Sequence, residues 1–358
     1  MLHSFISRIR RMATAFAGTA LLLAVPAAFA DSISPISFSA DLGVGESVTI
    51  SKTVTVSAGG PTSALIDVVF LIDTSGSMGG AIAGAKAAAV DILNGLAAFG
   101  NLATGTGFYS EPGSDGLFRS LTTDTPTGLA NINAITLGLG GGGGDFPEEG
   151  LNATKMAAEG SAWRAGSNRF IVALGDATFK ASDGATEANT LAALTAADAT
   201  FIGVDFANMT NVGFGGISPA GLAAGTGGSI VASSTGSGAI VSAILSAVSA
   251  AFGTYSVVDV DDLGGGAPYI DVTSVCTTVG GCTGSFDRSV EREFTFDVTF
   301  TRTAAGDHSF DTFALVDRGI VATERDTFGG AGVVPEPSTV ALLGLSLLGL
   351  VAVRRRRH

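Results

Sequence analysis

Asp73-Thr74-Ser75-Gly76-Ser77 places a carboxylate and two hydroxyls at alternate positions, directly after the apolar run Leu65–Ile72. All three side chains offer hard oxygen donors, the kind that hold Mg²⁺, Mn²⁺ or Ca²⁺. Alone the pattern is weak, because each residue has another use: Asp73 as a helix N-cap, Ser77 as a capping residue. A metal centre on an open α/β sheet gathers ligands from several loops at the carboxyl edge. Two further loops must therefore present oxygens. One is the glycine run 140–144 followed by Asp145-Phe146-Pro147-Glu148-Glu149-Gly150. The other is Gly175-Asp176-Ala177, where Asp176 closes a second apolar run.

The elements that must carry these loops can be read from apolar periodicity. Ile66–Ile72 is short, β-branched and apolar except for Asp67, as expected of a buried parallel strand. Further strands are predicted at Asn101–Tyr109, Phe170–Leu174, Thr200–Phe206 and Ser229–Ala232. Alanine-rich segments between them predict helices over Ala81–Phe99, Thr127–Ile135, Glu148–Glu159, Ala185–Ala197 and Ser237–Phe252. This alternation predicts a doubly wound, Rossmann-like α/β domain over residues 64–254. Its flanks differ in texture. Glu46–Val56, Glu293–Thr301, Phe310–Val316 and Ile320–Thr323 are β-branched or alternating, which predicts antiparallel strands. The N-terminal flank, residues 31–63, is too short to close a sandwich alone. It is expected to combine with residues 255–330 into one smaller antiparallel β-sandwich that flanks or receives the α/β domain. The alternative is an extended arm beside a separate C-terminal β-domain.

The three oxygen-bearing loops, in this order, resemble the metal-ion-dependent adhesion site of the von Willebrand factor type A family. Asp145-x-Pro147-Glu148 with the following Glu149-Gly150, and the pair Trp163-Arg164, are similar to the integrin-β I-like branch. The resemblance covers roughly residues 64–254. It implies that Asp73, Ser75 and Ser77 hold the metal from the first loop, that Glu148 supplies a second-loop carboxylate, and that Asp176 acts directly or through a water. One position is left for an outside oxygen. Asp145 is a candidate for a neighbouring second cation, although Gly143 stands where an asparagine ligand belongs in that branch. The resemblance also implies adhesion rather than catalysis.

The two ends carry addresses. Arg8, Arg10 and Arg11, the apolar run Met12–Val25 and Ala28-Phe29-Ala30 predict a signal peptide over residues 1–30, with Asp31 as mature start. Pro335-Glu336-Pro337, the apolar run Thr339–Val353 and Arg354–Arg357 resemble the PEP-CTERM sorting tail of Gram-negative surface and matrix proteins. That resemblance assigns residues 331–358 to recognition and cleavage by an exosortase. A plain transmembrane anchor is the alternative. Membrane contact is expected only through this tail before processing. Seven of the 19 Lys and Arg lie in these ends, whereas all 32 Asp and Glu lie between residues 31 and 337. So acidic a body excludes nucleic acid as a partner and favours cations.

Cys276 and Cys282, in an exported chain, read as a disulfide across a turn. Gly79–Lys86 lacks the Gly-Lys-Ser/Thr ending of a phosphate loop and reads as helix. Asp259, Asp261 and Asp262 lack the later glutamate of a calcium loop. His308 is the one imidazole outside the processed ends, so neither a histidine-rich metal centre nor a Ser-His-acid triad is expected. The expected function is cation-bridged binding of an extracellular protein or acidic polysaccharide at the cell surface, outer membrane or matrix. The alternative is a structural matrix component whose metal only stabilises the fold.

Overall fold

The computed structural model describes residues 30–113, 116–143 and 145–330. The expected signal sequence before Ala30 and the sorting tail, with Pro335-Glu336-Pro337, lie outside the described residues. In chain order the elements begin with β1 (Ser32–Ser34), β2 (Ser37–Leu42) and β3 (Ser47–Val56). Next come β4 (Ala64–Asp73), α1 (Gly79–Ala97), β5 (Gly100–Tyr109), β6 (Gly116–Thr122), α2 (Thr125–Asn133) and α3 (Gly150–Gly160). They continue with β7 (Asn168–Gly175), α4 (Glu187–Ala196), β8 (Ala199–Asp205), α5 (Ala220–Gly225), β9 (Ile230–Ala232) and α6 (Ser237–Ala251). Six strands close the described chain: β10 (Thr254–Asp261), β11 (Ile270–Cys276), β12 (Thr283–Asp287), β13 (Arg292–Arg302), β14 (His308–Val316) and β15 (Gly319–Gly330).

The central sheet has the order β6-β5-β4-β7-β8-β9, parallel except for the edge strand β6. Alternation along β4 explains why helices cover both faces. Ile66, Val68, Phe70 and Ile72 pack with α1 and α6, whereas Val69 and Leu71 pack with α3 and α4. Strand order reverses between β4 and β7, so the carboxyl ends of these two strands border a crevice, the usual place for a ligand on such a sheet. Small residues bring helices close: a Cβ at Gly95 of α1 would lie 2.3 Å from Leu245 of α6.

At the opposite edge, the buried Asp67 of β4 accepts hydrogen bonds from the Arg164 backbone at 2.8 Å, its Nε at 2.5 Å, and Ser167 Oγ at 2.8 Å. Arg164 thus ties the α3–β7 loop to the sheet. Trp163 is partly buried in the adjacent core and donates Nε1–H to Ala158 O at 2.9 Å. Trp163 and Arg164 are structural here and stand away from the crevice.

The two flanks share one β-sandwich, and the α/β domain is inserted between β3 and β10. One sheet runs β1-β3-β13-β11 and the other β12-β10-β14-β15-β2. Phe294, Phe296, Val298 and Phe300 of β13 fill the space between the sheets with Phe310, Val321 and Phe328. One pairing departs from the antiparallel expectation: β2 lies parallel to β15 at the sheet edge. The antiparallel neighbour of β15 is β14, so its other side is left for a strand that the chain can bring in only by a long connection. Cys276 and Cys282 are joined, linking the end of β11 to the start of β12. Among the described residues, no helix is long and apolar enough to cross a membrane.

Candidate metal centre

The first loop is shaped by the end of β4. Asp73 Oδ1 accepts the Ser75 backbone N–H at 2.8 Å, which curls the chain so that Ser75 and Ser77 turn to the same side. Their hydroxyls lie 3.3 Å apart. Between Ser75 and α1 a single tight turn, Gly76–Met78, redirects the chain into the helix. Thr74 points elsewhere: its N–H donates to Tyr109 O at 2.9 Å and its hydroxyl to Leu139 O. It therefore pins the first loop to β5 and to the glycine-rich loop.

The second loop is not the helix start that periodicity suggests. Glu148 precedes α3, which begins at Gly150, and forms an isolated parallel bridge with Phe179. Glu148 N donates to Thr178 O at 2.9 Å and Lys180 N to Glu148 O at 2.6 Å. Backbone bonding to the third loop, rather than helix geometry, fixes this carboxylate. Two glycines permit the approach. A Cβ on Gly143 would lie 3.0 Å from Ser75 Cβ and 3.1 Å from each Glu148 carboxylate oxygen, at a φ of +48°. A Cβ on Gly150 would meet the Phe179 ring at 2.2 Å.

Asp176 follows the last residue of β7 and closes the ring. Ser77 Oγ donates to Asp176 Oδ1 at 3.1 Å. The structure therefore brings Asp73, Ser75, Ser77, Glu148 and Asp176 to one place, at the crevice between β4 and β7. Asp73, Ser75 and Glu148 form a buried floor, and Ser77 and Asp176 reach solvent at the mouth. Asp145 is not brought in. Its carboxylate is 71% exposed and lies 3.5 Å from Lys180 Nζ.

The electrostatics of the ring are unbalanced. Burial, with repulsion from Asp176, lifts Asp73 from 3.8 to about 7 against the pull of the Ser75 hydrogen bonds. Burial, then repulsion from Asp73 and Glu111, lifts Glu148 from 4.5 to about 8 despite Lys180. Burial also raises Asp176, and Asp205 at the end of β8 adds to it. Asp73 Oδ2 and Glu148 Oε2 are buried without a hydrogen-bond donor among the described residues. Two orphaned carboxylate oxygens beside two hydroxyls fit a hard divalent cation. Among the described residues no three His, Cys, Asp or Glu side chains form a group that could hold a metal ion.

Sequence reasoning missed the floor beneath the ring. Tyr109 is fully buried, donates its hydroxyl to Leu174 O at 3.2 Å, and feels the charges of Asp73, Asp176, Glu148 and Asp205. Gly175 leaves room for it, since a Cβ there would lie 2.3 Å from the phenol oxygen. Asp205 accepts the N–H groups of Ala207 and Met209 at 2.8 and 3.0 Å, shaping the next loop. His308 belongs to β14 of the sandwich, where Nε2 pairs with Gly265 O at 2.8 Å.

Residues 333–357 match the PEP-CTERM protein-sorting motif. No curated protein matches the chain. Among solved structures, an aerotolerance-related membrane protein from Bacteroides fragilis, bearing multiple mutations to serine, is 15% identical with a TM-score of 0.40. That match covers 51% of this chain and 98% of that one. A von Willebrand factor type A protein from Catenulispora acidiphila is 15% identical with a TM-score of 0.37, covering 85% and 74%. Proximal thread matrix protein 1 from the mussel byssus, with a zinc-occupied adhesion-site motif, is 14% identical with a TM-score of 0.37, covering 53% and 44%.

Proposed function

We propose that this chain, which its PEP-CTERM motif directs to the Gram-negative cell surface and to exosortase processing, binds a partner there through a divalent cation. Asp73, Ser75, Ser77, Glu148 and Asp176 would hold Mg²⁺, Mn²⁺ or Ca²⁺. When bound, the ion supplies a Lewis-acidic position for a carboxylate of an extracellular protein or acidic polysaccharide. The observation that carries this reading is the pair of buried, unpartnered carboxylate oxygens beneath an open mouth. The open side at Ser77 and Asp176 favours an outside oxygen as the last ligand.

A second reading draws on the same burial. With Asp73 and Glu148 at 0% and 3% exposure, a cation could serve chiefly to neutralise the floor, leaving a structural matrix protein. Asp73→Ala separates the two. Calorimetric titration with Mg²⁺, Mn²⁺ and Ca²⁺ should show cation binding in the native chain and its loss in the variant. A pull-down from envelope and matrix material should recover partners with cation and lose them with chelator. The same partners in both arms would defeat the bridging reading. A variant that melts early, with no cation-dependent partner for either protein, would favour the structural one.

A further inference from the structure

The sandwich core holds a second set of titratable groups, on strands that take no part in the metal centre. Lys52 of β3 points inward from one sheet, and Glu324 and Asp326 of β15 point inward from the other. All three side chains are completely buried. Lys52 Nζ donates to Glu324 Oε2 and lies 3.6 Å from Asp326 Oδ1. Thr312 of β14 donates its hydroxyl to the other oxygen of Asp326. The Phe300 ring centroid is 5.0 Å from Nζ, and Phe300 packs on Phe38, Phe310 and Phe328. The cluster is therefore walled by aromatic hydrocarbon. Glu324 Oε1 and Asp326 Oδ1 have no hydrogen-bond donor among the described residues.

As a stabilising device this arrangement is poor. Desolvating an ammonium and two carboxyls costs more than their pairing returns, and apolar residues of similar volume would serve a core better. The same placement is well suited to a reaction. An amine sits between two carboxyls, all fully buried from solvent, and one acid is held at its far oxygen by a threonine.

We propose that Lys52 and Asp326 condense into an intramolecular isopeptide bond, with Glu324 carrying the proton between them. Burial raises both acids, Glu324 to about 7 with the charge of Asp326 adding to it, which favours their neutral forms beside the amine. The reactive form is the amine, and the lone pair of Lys52 Nζ attacks Asp326 Cγ and forms the N–C bond. Glu324 accepts a proton from Nζ and delivers one to the departing Asp326 oxygen. The C–O bond breaks and one water leaves. Glu324 ends in the protonation state in which it began, and no oxidant, reductant or co-reactant is needed. Holding the groups together supplies an effective concentration of ~10⁵–10⁸ M, and the dry core excludes the water that would reverse the step. The Thr312 hydrogen bond marks Asp326 as the acyl partner because it orients that carboxyl, while Glu324 remains in contact with the amine.

Tandem mass spectrometry of a tryptic digest of the full chain, purified after export, tests this directly. The expected result is one branched peptide joining Lys52 to Asp326, uncut after Lys52, and lighter by one water than the sum of the uncut Lys52 peptide and the Asp326 peptide. Asp326→Asn should give the same branched peptide, with ammonia as the leaving group. Glu324→Gln should leave the two peptides separate. Separate, full-mass peptides from the native chain would overturn the proposal, whatever the variants do. A branch at Glu324 would overturn the assignment of roles.

Discussion

At the scale of single residues, the metal centre makes a claim about protons. Asp73 and Glu148 ordinarily titrate at 3.8 and 4.5 but are lifted to about 7 and about 8 by burial, with Asp176 repelling Asp73 and with Asp73 and Glu111 repelling Glu148. Between those limits the folded chain binds protons that the unfolded chain has released. Stability of the metal-free protein is then fullest below the unfolded values and declines as pH rises through the folded ones. A cation displaces those protons, so its benefit grows with pH. Melting in chelator should fall between about pH 5 and about pH 8, and Mg²⁺ or Ca²⁺ should restore it at the upper end most of all. A melting temperature independent of both pH and cation would remove the electrostatic basis of the site. Gly143→Ala tests the geometry separately. The added methyl presses on Ser75 and both Glu148 oxygens at positive φ, and cation affinity measured by titration should drop by about tenfold or more. The candidate oxygen donors were legible because hard-cation chemistry demands such donors at strand ends. Tyr109 and Asp205 were not, since a buried phenol and a loop-capping carboxylate act through packing and long-range charge that no local pattern encodes.

At the scale of elements, the legible parts are those buried on both faces. β4, β7 and β8 read as continuous apolar runs because helices cover each side of the sheet. Edge elements escaped: β11 and β12 are largely exposed and carry polar residues on both faces, so no alternation announces them. α2 begins two residues earlier than its periodicity suggests, because the Asp124 side chain accepts the Thr127 N–H at 3.0 Å and caps it. The joint between the second loop and α3 is the element-level weak point. Gly150→Ala would drive a methyl into Phe179, displacing the strand-like bridge that fixes Glu148. A loss of about 1–3 kcal/mol in denaturant unfolding is expected, with weakened cation binding alongside. Unchanged stability would show that the Phe179 ring can move aside.

At the scale of the molecule, the sandwich makes the chain's first and last described segments one unit. Asp31, the expected first residue after processing, is buried and pairs with Arg288 while accepting the Ser57 N–H at 2.8 Å. Asp31→Ala would leave a buried guanidinium without its carboxylate, and unfolding should show a loss of about 3–5 kcal/mol. A loss under half of that would mean that water reaches Arg288. Long-range union of the flanks was only partly legible, because strand texture reveals that segments are extended but not whom they pair with. That parallel place of β2 beside β15 has a kinetic side. β2 occupies the sheet edge with β15 as its neighbour, and Ser37 waits for Arg325. β3 likewise waits for β13, with Thr53 opposite Thr295. The inserted domain, by contrast, draws its sheet from a contiguous stretch and has no such delay. It should fold first during export, with β3 lacking its β13 neighbour and β2 lacking β15 until those strands emerge. A chain ending at Asp317 should therefore keep cation binding by its inserted domain yet self-associate through those edges. A full chain released with its last strand in place should stay monomeric in the same sedimentation experiment.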